Sequence, residues 1–399
     1  MNTSAPKRYA HTLIRHFILI ALFFPAYYSK FQHVYYQDMT FMSILALLFC
    51  INIWCKWRLD FKKHGFSILA ISTALIVYII LSILNYKKYP VVYWRTEPLS
   101  ILIAFLFFFT LLIIRDEHKV ISDKVICFTI IAILVHNGIG IIYRLCGGAK
   151  FYMQTLYYEA TSISETNPCF SWMYYDASEY ALILLLSMAF LMTYKHLFKN
   201  NYLYWGAQGL LIICMILTHT SIYYLATAIL FGFNLLYHLI KKYTVLQIYE
   251  TYSYPIVLAI FGIAAYIILH KVGSFQEKLL IWKGTWDTLK VQPEGLFVGF
   301  GYIPYEVPGI DVPLIQAQNT FLNHMLRHSL GTGIMFTILI LILFVVTFLK
   351  KPNYRSLGIL LAILIPMNME FGLQSLHLPY VLFLMYAIFY HKGEVNNVI

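Results

Sequence analysis

Long apolar runs separated by short polar segments dominate the pattern along the chain. Each of twelve runs is long enough for a helix to cross the hydrocarbon core of a bilayer. They lie near 12–29, 40–56, 65–86, 97–114, 124–143, 178–194, 203–220, 221–240, 253–271, 331–349, 355–371 and 375–391. The pattern predicts an all-α integral membrane protein with twelve transmembrane helices, in which residues 1–399 form a single polytopic membrane domain.

Two connections are much longer than the others, at 144–177 and 272–330. Both are rich in Tyr, Trp, Phe and Pro, which is typical of ordered loops rather than of disordered linkers. Long ordered loops on one face of a helical bundle are where binding and catalytic residues tend to lie. We therefore expect the chemistry of the protein in these two loops.

The distribution of charge predicts the orientation. The chain is 60% hydrophobic and only 12% charged, whereas soluble domains carry about 25% charged residues. With the N-terminus inside, short segments next to span ends on the cytoplasmic side hold 17 of the 29 Lys and Arg residues. Both termini are then cytoplasmic and both long loops lie outside. This bias explains the net charge of +11 without nucleic acid.

The second long loop contains two stretches with helical periodicity. In 275–290 one side is apolar and three lysines project elsewhere; the apolar positions are Phe275, Leu279, Trp282, Trp286 and Leu289, and the lysines are Lys278, Lys283 and Lys290. In 316–333, "QAQNTFLNHMLRHSLGTG", polar pairs recur four residues apart, namely Asn319/Thr320, Asn323/His324 and Arg327/His328. Both patterns predict amphipathic helices.

The order of residues in this loop resembles the signature region of the bacterial O-antigen polymerase and O-antigen ligase superfamily. That signature has a basic residue, a Trp, a Pro, a glycine-rich turn and then "HNxxLxxLxxxGxxG" before a span. The matching positions are Lys278, Trp282, Pro293, Gly299, Gly301, Asn319, Leu322, Leu330 and Gly333. The predicted twelve spans and the large outer loop between the ninth and tenth are also similar to the family's topology.

The resemblance implies a metal-independent glycosyltransferase of the bacterial inner membrane that needs no cofactor. The donor would be an oligosaccharide on undecaprenyl pyrophosphate. The acceptor would be another lipid-linked repeat unit for a polymerase, or the lipid A core for a ligase. In the family, arginines hold the pyrophosphate and a His acts as base on the acceptor hydroxyl. Membrane lipids and a chain-length regulator are the further partners implied, and nucleic acid is not.

The chain departs from the family where the family carries charge. Gln318 stands in place of the family His, and Lys278 in place of the Arg before the Trp. The pattern "LTxSR" corresponds to "LTHTS", with Ser221 in place of Arg, and "RxSG" corresponds to "NPCFSW", with Cys169 in place of Arg. Polymerases vary more than ligases at these positions, so we prefer the polymerase and keep the ligase as the alternative.

Other residues on the outer side must then supply cations for the diphosphate and a base for the acceptor hydroxyl. The predicted catalytic residues are His324 as the base, Arg327 at the pyrophosphate and Glu165 as the next choice of base. The predicted contacts to the pyrophosphate or glycan are Lys278, Lys283, Arg144, His219, Gln318, Asn319 and Trp282.

Structural roles compete with these assignments. His219 can simply complete a tight turn, and Trp282 and the neighbouring lysines can anchor an interfacial helix. His136 with Asn137 lies inside a span and is either functional or a hydrogen bond of the bundle. For the whole protein, the rival function is a lipid-linked glycan flippase or another transporter. The scarcity of charge in the middle of the spans favours the enzyme.

Overall fold

The computed structural model describes residues 4–23, 35–57, 97–116, 121–146, 170–172, 174, 177–271, 273–291, 352–369 and 378–390. It also describes single helical positions at 62, 65, 69, 73, 76, 80 and 322. Every regular element in these ranges is a helix, and no strand occurs among them. The all-α prediction is therefore confirmed for the described part of the chain.

Eleven α-helices and one 3-10 helix occur in the described ranges. They are α1 (Ser4–Phe23), α2 (Tyr35–Trp57), α3 (Glu97–Asp116), α4 (Asp123–Leu145), α5 (Ala177–Thr193), the 3-10 helix (Lys195–Leu197), α6 (Asn201–Leu217), α7 (Ser221–Lys242), α8 (Thr244–Lys271), α9 (Gly273–Val291), α10 (Tyr354–Met369) and α11 (Leu378–Phe389). α9 is the predicted amphipathic helix, and the other α-helices coincide with predicted spans. The span predicted near 331–349 lies outside the described residues.

Two helices begin at least eight residues earlier than their apolar runs. α1 begins at Ser4 rather than near residue 12, and α8 begins at Thr244 rather than near residue 253. Polar residues with adequate helix propensity extend a helix beyond its hydrophobic part, so hydropathy alone does not locate the first turn. α8 also continues through Pro255, which has no N–H for the carbonyl of Thr251.

The first compact unit comprises residues 1–80, 92–221 and 373–399. It is a bundle around two helices with buried surfaces: α5 is buried from Tyr180 to Met192, and α11 from Leu378 to Ala387. α11 packs against α3 and α5, α6 packs against α4 and α5, and α1 and α2 complete the bundle. Helices that are apolar on all sides belong in the interior of a large helical assembly.

The second compact unit comprises residues 81–91 and 222–372. Its core joins α7, α8 and α10 through Ile240, Tyr254, Tyr354 and Leu357. The rings of Tyr254 and Tyr354 lie 5.0 Å apart, and the Ser253 hydroxyl is hydrogen-bonded to that of Tyr354. α10 crosses α7 where a Cβ on Gly358 would lie 2.3 Å from the Cβ of Phe233, so this crossing requires glycine.

Several helices expose apolar side chains at helical spacing while their buried sides are apolar too. These exposed residues are Ile44, Leu48 and Ile51 on α2, Ile131, Val135, Ile139, Ile142 and Leu145 on α4, and Ile256, Ile260, Ile263 and Ile267 on α8. Contiguous apolar patches of this kind mark interaction or membrane surfaces. In the described part of the chain, α4 and α7 are long and apolar enough to cross a membrane, judged by length and composition.

Candidate functional site

One end of the first unit brings together three segments that are far apart in the sequence. The backbone N–H of Phe170 donates to the carbonyl of Leu217 (2.9 Å), which joins the end of the first long loop to the end of α6. Trp172, two residues after Phe170, packs against the last turns of α4. We call this region the junction; it consists of residues 136–146, 170–172, 174, 180 and 217–221.

Asn137 connects three helices within the junction. The Tyr180 hydroxyl donates to its Oδ1 (2.6 Å), and its own Nδ2 donates to the carbonyl of Ile133 (2.8 Å). The Cys214 thiol on α6 approaches the Asn137 carbonyl at 3.9 Å. Of the two alternatives for Asn137, these contacts match the hydrogen bond of a helical bundle.

Trp172 lies in a shallow groove on α4. A Cβ on Gly140 would lie 3.1 Å from Cδ2 of the Trp172 indole, so the absence of a side chain at 140 lets the ring approach the helix. The rings of Tyr143, His136 and Phe170 surround it, with centroids at 5.4, 5.9 and 6.2 Å. These contacts hold the end of the first long loop against the bundle.

Tyr174 continues this ring cluster. Its ring stacks on Tyr180 at 5.1 Å and meets the edge of His136 at 5.7 Å. Burial raises the pKa of the Tyr174 phenol well above its ordinary value, and the neighbouring Tyr380 and Glu179 raise it further. The phenol therefore stays protonated at neutral pH and does not act as a base.

The turn between α6 and α7 is held by its own polar groups. The Thr218 hydroxyl donates to the carbonyl of Met215 (2.7 Å) and lies 2.7 Å from the hydroxyl of Thr220. The backbone N–H of His219 donates to the carbonyl of Ile216 (3.3 Å). The His219 side chain is exposed. The backbone of His219 thus completes the tight turn, as one interpretation of the sequence proposed, while its imidazole is available at the surface.

Positive φ angles occur at the junction. Among the described non-glycine residues they are found at Trp172 (φ 49°) and His219 (φ 52°). Such a conformation costs about 1–3 kcal/mol and persists only where surrounding contacts enforce it. His tolerates it better than most residues, whereas it is a clear exception for a bulky residue such as Trp. Both residues belong to the two segments that the Phe170–Leu217 hydrogen bond joins, which makes the junction the strongest candidate site in the described residues.

Arg144 belongs to the same end of the first unit. It lies on the last turn of α4, half-buried, one residue after Tyr143 of the ring cluster. A cation at this position complements the partial negative charge of the helix C-terminus. The predicted site residues Arg144 and His219 are therefore both junction residues.

The predicted site residues Lys278, Trp282 and Lys283 lie on α9 in the second unit. The buried side of α9 is centred on Ile281 and Thr285, and the half-buried Lys278 and Trp282 flank it, whereas Lys283 is exposed. The indole Nε1 of Trp282 is buried and has no acceptor among the described residues.

Trp286 departs from the expected apolar side of α9. It is 42% exposed, and the Lys290 ammonium lies 5.9 Å from its ring centroid. Periodicity alone cannot identify which part of an apolar face meets a neighbour, because that depends on the packing of other helices. The helix is confirmed, but its most buried positions are Ile281 and Thr285 rather than Trp286.

Five predicted site residues lie outside the described residues, and their roles stay predictions: Glu165, Gln318, Asn319, His324 and Arg327. Cys146, which follows the last residue of α4, has a free thiol. Within the described ranges, no group of three or more His, Cys, Asp or Glu side chains could hold a metal ion.

Comparison of the chain with known protein families, with curated proteins and with solved structures gives no match.

Sequence reasoning did not single out Trp172 or Tyr180. A Trp at the end of a loop beside a span is ordinarily an interfacial anchor, so its pattern carries no special signal. The one local indication that another side chain approaches α4 closely was the pair of glycines at 138 and 140.

Proposed function

We propose that the protein is an O-antigen polymerase of the bacterial inner membrane. In this proposal twelve helices span the membrane, both termini are cytoplasmic, and the loops at 144–177 and 272–330 are periplasmic. The enzyme transfers a glycan from undecaprenyl pyrophosphate to a lipid-linked repeat unit during lipopolysaccharide biosynthesis. A chain-length regulator would act on the same product.

The observation that carries the proposal is the hydrogen bond between Phe170 and Leu217 (2.9 Å). The family resemblance aligned two separate segments, "NPCFSW" and "LTHTS", with two family motifs whose Arg is replaced in this chain by Cys169 and Ser221. These segments are distant in the sequence, and nothing in their local pattern requires them to meet. Their meeting at one end of the unit, with a positive φ in each, supports a single site to which both contribute.

The proposed reaction needs a base and a cationic cradle. The acceptor hydroxyl oxygen attacks the anomeric carbon of the donor, the bond from that carbon to the pyrophosphate oxygen breaks, and undecaprenyl pyrophosphate leaves. His324 takes the hydroxyl proton, with Glu165 as the second choice, because imidazole titrates near neutral pH. In the second long loop, Arg327, Lys278 and Lys283 are the predicted contacts to the diphosphate oxygens, and Gln318, Asn319 and Trp282 are those to the phosphate or the glycan. Arg144 and His219 are the predicted contacts at the junction.

Reconstitution tests the proposed reaction directly. The purified full-length protein in proteoliposomes should convert lipid-linked repeat units into a ladder of longer glycans and release undecaprenyl pyrophosphate. His324→Gln keeps the polarity and approximate size of the side chain but removes the titrating group. It should lower the rate by roughly a hundredfold or more, the scale of losing a general base. A normal ladder from this variant would transfer the base role to Glu165 or remove this helix from the site.

The diphosphate contacts are tested in the same assay. Arg327→Ala and Lys278→Ala should each lower the rate about ten- to a hundredfold, because one lost charge-assisted contact to phosphate is worth roughly 1.5–3 kcal/mol. Arg327→Lys should restore only part of the rate, since the bidentate geometry is lost. Lys290→Ala is the matched control on α9, because the Lys290 ammonium is already 3.6 Å from the Asp287 carboxylate. Full-length ladders from both alanine variants would reject these roles.

The acceptor decides between the two glycosyltransferases. Transfer to the lipid A core, with no extension of lipid-linked repeat units, would identify a ligase. Movement of the lipid-linked glycan across the bilayer, with no new glycosidic bond, would identify a flippase instead.

A further inference from the structure

We infer that the end of the first unit opposite the junction binds the headgroups of anionic phospholipids. The surface consists of Lys195, His196, Lys199, Tyr202 and Trp205, and we call it the basic collar. The inference requires the unit to lie in a membrane, but it does not depend on the proposed glycosyltransferase activity.

The position of the basic collar follows from the connectivity of α5 and α6. Phe170, just before α5, is bonded to Leu217 at the end of α6, so the beginning of α5 and the end of α6 share the junction. The 3-10 helix that links the end of α5 to the beginning of α6 therefore lies at the opposite end. There, the Lys195 ammonium lies 5.1 Å from the ring centroid of the buried Tyr204, which fixes the cation close to the first turn of α6.

The basic collar has cations and no acidic residue to balance them nearby in the sequence. No Asp or Glu occurs anywhere in residues 180–249, a stretch that contains Lys195 and Lys199. Lys199 and His196 are exposed. By contrast, Lys290 on α9 has its own carboxylate, Asp287, at 3.6 Å. Among the described residues neither Lys195 nor Lys199 forms an ion pair, which leaves both ammonium groups open to an anionic molecule.

The exposed side of α6 indicates what kind of anionic molecule binds the basic collar. From the basic residues, the exposed positions pass to aromatic Tyr202 (89% exposed) and Trp205 (53%) and then to aliphatic Ile213. These three positions lie on one stripe of the helix. Basic, aromatic and aliphatic groups in this order match the phosphate, interfacial and acyl-chain layers of one leaflet. A free phosphate ion would use only the lysines, whereas a phospholipid uses the whole stripe.

Lipid titration of the purified full-length protein in detergent, followed by native mass spectrometry, tests the inference. Phosphatidylglycerol should bind more tightly than phosphatidylcholine with the same acyl chains. Each lysine near an anionic surface contributes about fivefold to binding. The double variant Lys195→Gln/Lys199→Gln should therefore lower the affinity for phosphatidylglycerol by about five- to thirtyfold and leave that for phosphatidylcholine unchanged. Lys195→Arg/Lys199→Arg should retain the preference.

Matched controls make the outcome decisive. Lys290→Gln removes a cation that also packs on an exposed Trp but is already neutralised, and it should leave lipid binding unchanged. Added inorganic phosphate should not displace phosphatidylglycerol; equal competition would assign the site to free phosphate and overturn the inference. Unchanged phosphatidylglycerol affinity in the double Gln variant, or equal wild-type affinities for the two lipids, would also overturn it. If the double variant misfolds, the wild-type protein alone tests the inference. Its preference for phosphatidylglycerol over phosphatidylcholine must weaken as the salt concentration rises, because salt screens the attraction between opposite charges.

Discussion

At the scale of single residues, the junction shows how burial compensates backbone strain. Burying an aromatic side chain removes roughly 150–250 Å² from water, which is worth about 4–6 kcal/mol at about 25 cal/mol per Å². The positive φ of Trp172 costs about 1–3 kcal/mol. The indole seated on Gly140 therefore holds a backbone conformation that an exposed Trp would not adopt. His219 has no such burial, and its turn depends on the hydrogen bonds of Thr218.

Substitutions at residue 219 should separate backbone strain from the function of the imidazole. His219→Val places a β-branched residue at φ 52° and should lower the free energy of unfolding by about 1–3 kcal/mol. His219→Gly accepts this φ without strain and should be at least as stable as the wild type. Chemical denaturation in mixed micelles measures both. If the two variants prove equally stable, the positive φ at this position is not maintained in the protein.

The hydrogen bond between Tyr180 and Asn137 should be measurable as a coupling between the two residues. Tyr180→Phe leaves the buried Oδ1 of Asn137 without its 2.6 Å donor and should lower the free energy of unfolding by about 1 kcal/mol. Tyr180→Phe should cost much less when it is introduced into an Asn137→Leu background. A double-mutant cycle by denaturant titration measures the difference, and a coupling energy near zero would contradict the contact.

At the scale of elements, the second unit depends on a close crossing of two helices. At Gly358, α10 lies directly against the Cβ and Cγ atoms of Phe233 on α7. One turn earlier on α10, Tyr354 packs against Tyr254 of α8. Helix pairs with few polar contacts gain stability from such close van der Waals packing, and small residues at the crossing make it possible. α10 therefore carries the contacts that unite three helices of this unit.

Enlarging Gly358 should disrupt this crossing. In Gly358→Ala the new methyl would lie 2.3 Å from the Phe233 Cβ, which cannot rotate away because it is attached to the backbone. We expect a loss of about 1–3 kcal/mol in the free energy of unfolding. Gly262→Ala on α8 is the matched control: it has the same gain in helix propensity but open space around the new methyl, and it should be neutral or stabilising by up to about 1 kcal/mol. Equal stability of the two variants would show that α10 does not approach α7 this closely.

At the scale of the whole molecule, the distribution of charge and apolar surface predicts the orientation. The exposed stripes on α2, α4 and α8 leave few positions in their middle portions where a charge could meet water. Cations gather instead at helix ends, as Lys195 and Lys199 do at the beginning of α6. An arrangement with apolar sides and basic ends is stable when hydrocarbon surrounds the sides and headgroups surround the ends.

Reporter fusions should confirm the predicted orientation. Reporters inserted within 145–177 or 273–329 should be active only on the periplasmic side, and those at either terminus only in the cytoplasm. A fusion after Lys351 should report the cytoplasm, because Lys350, Lys351 and Arg355 lie together on a short predicted inner connection. Periplasmic activity at that position would reject the topology.

Local pattern determined the positions of the helices. Apolar runs located the helices from α1 to α8, and also α10 and α11, because a long apolar segment must satisfy its own backbone hydrogen bonds. Periodicity likewise identified α9, and the residue types flagged Asn137, His219 and Arg144. None of these inferences needed information from distant parts of the chain.

Only the tertiary structure decided how these residues are arranged. It brought Phe170 to Leu217, placed the Tyr180 hydroxyl on Asn137, and turned Trp286 outward although it belongs to an apolar pattern. A local pattern states which residues prefer to be buried, but the partner of each depends on contacts between helices that are distant in the sequence. The positive φ angles of Trp172 and His219 have the same origin, because backbone strain persists only where packing from elsewhere enforces it.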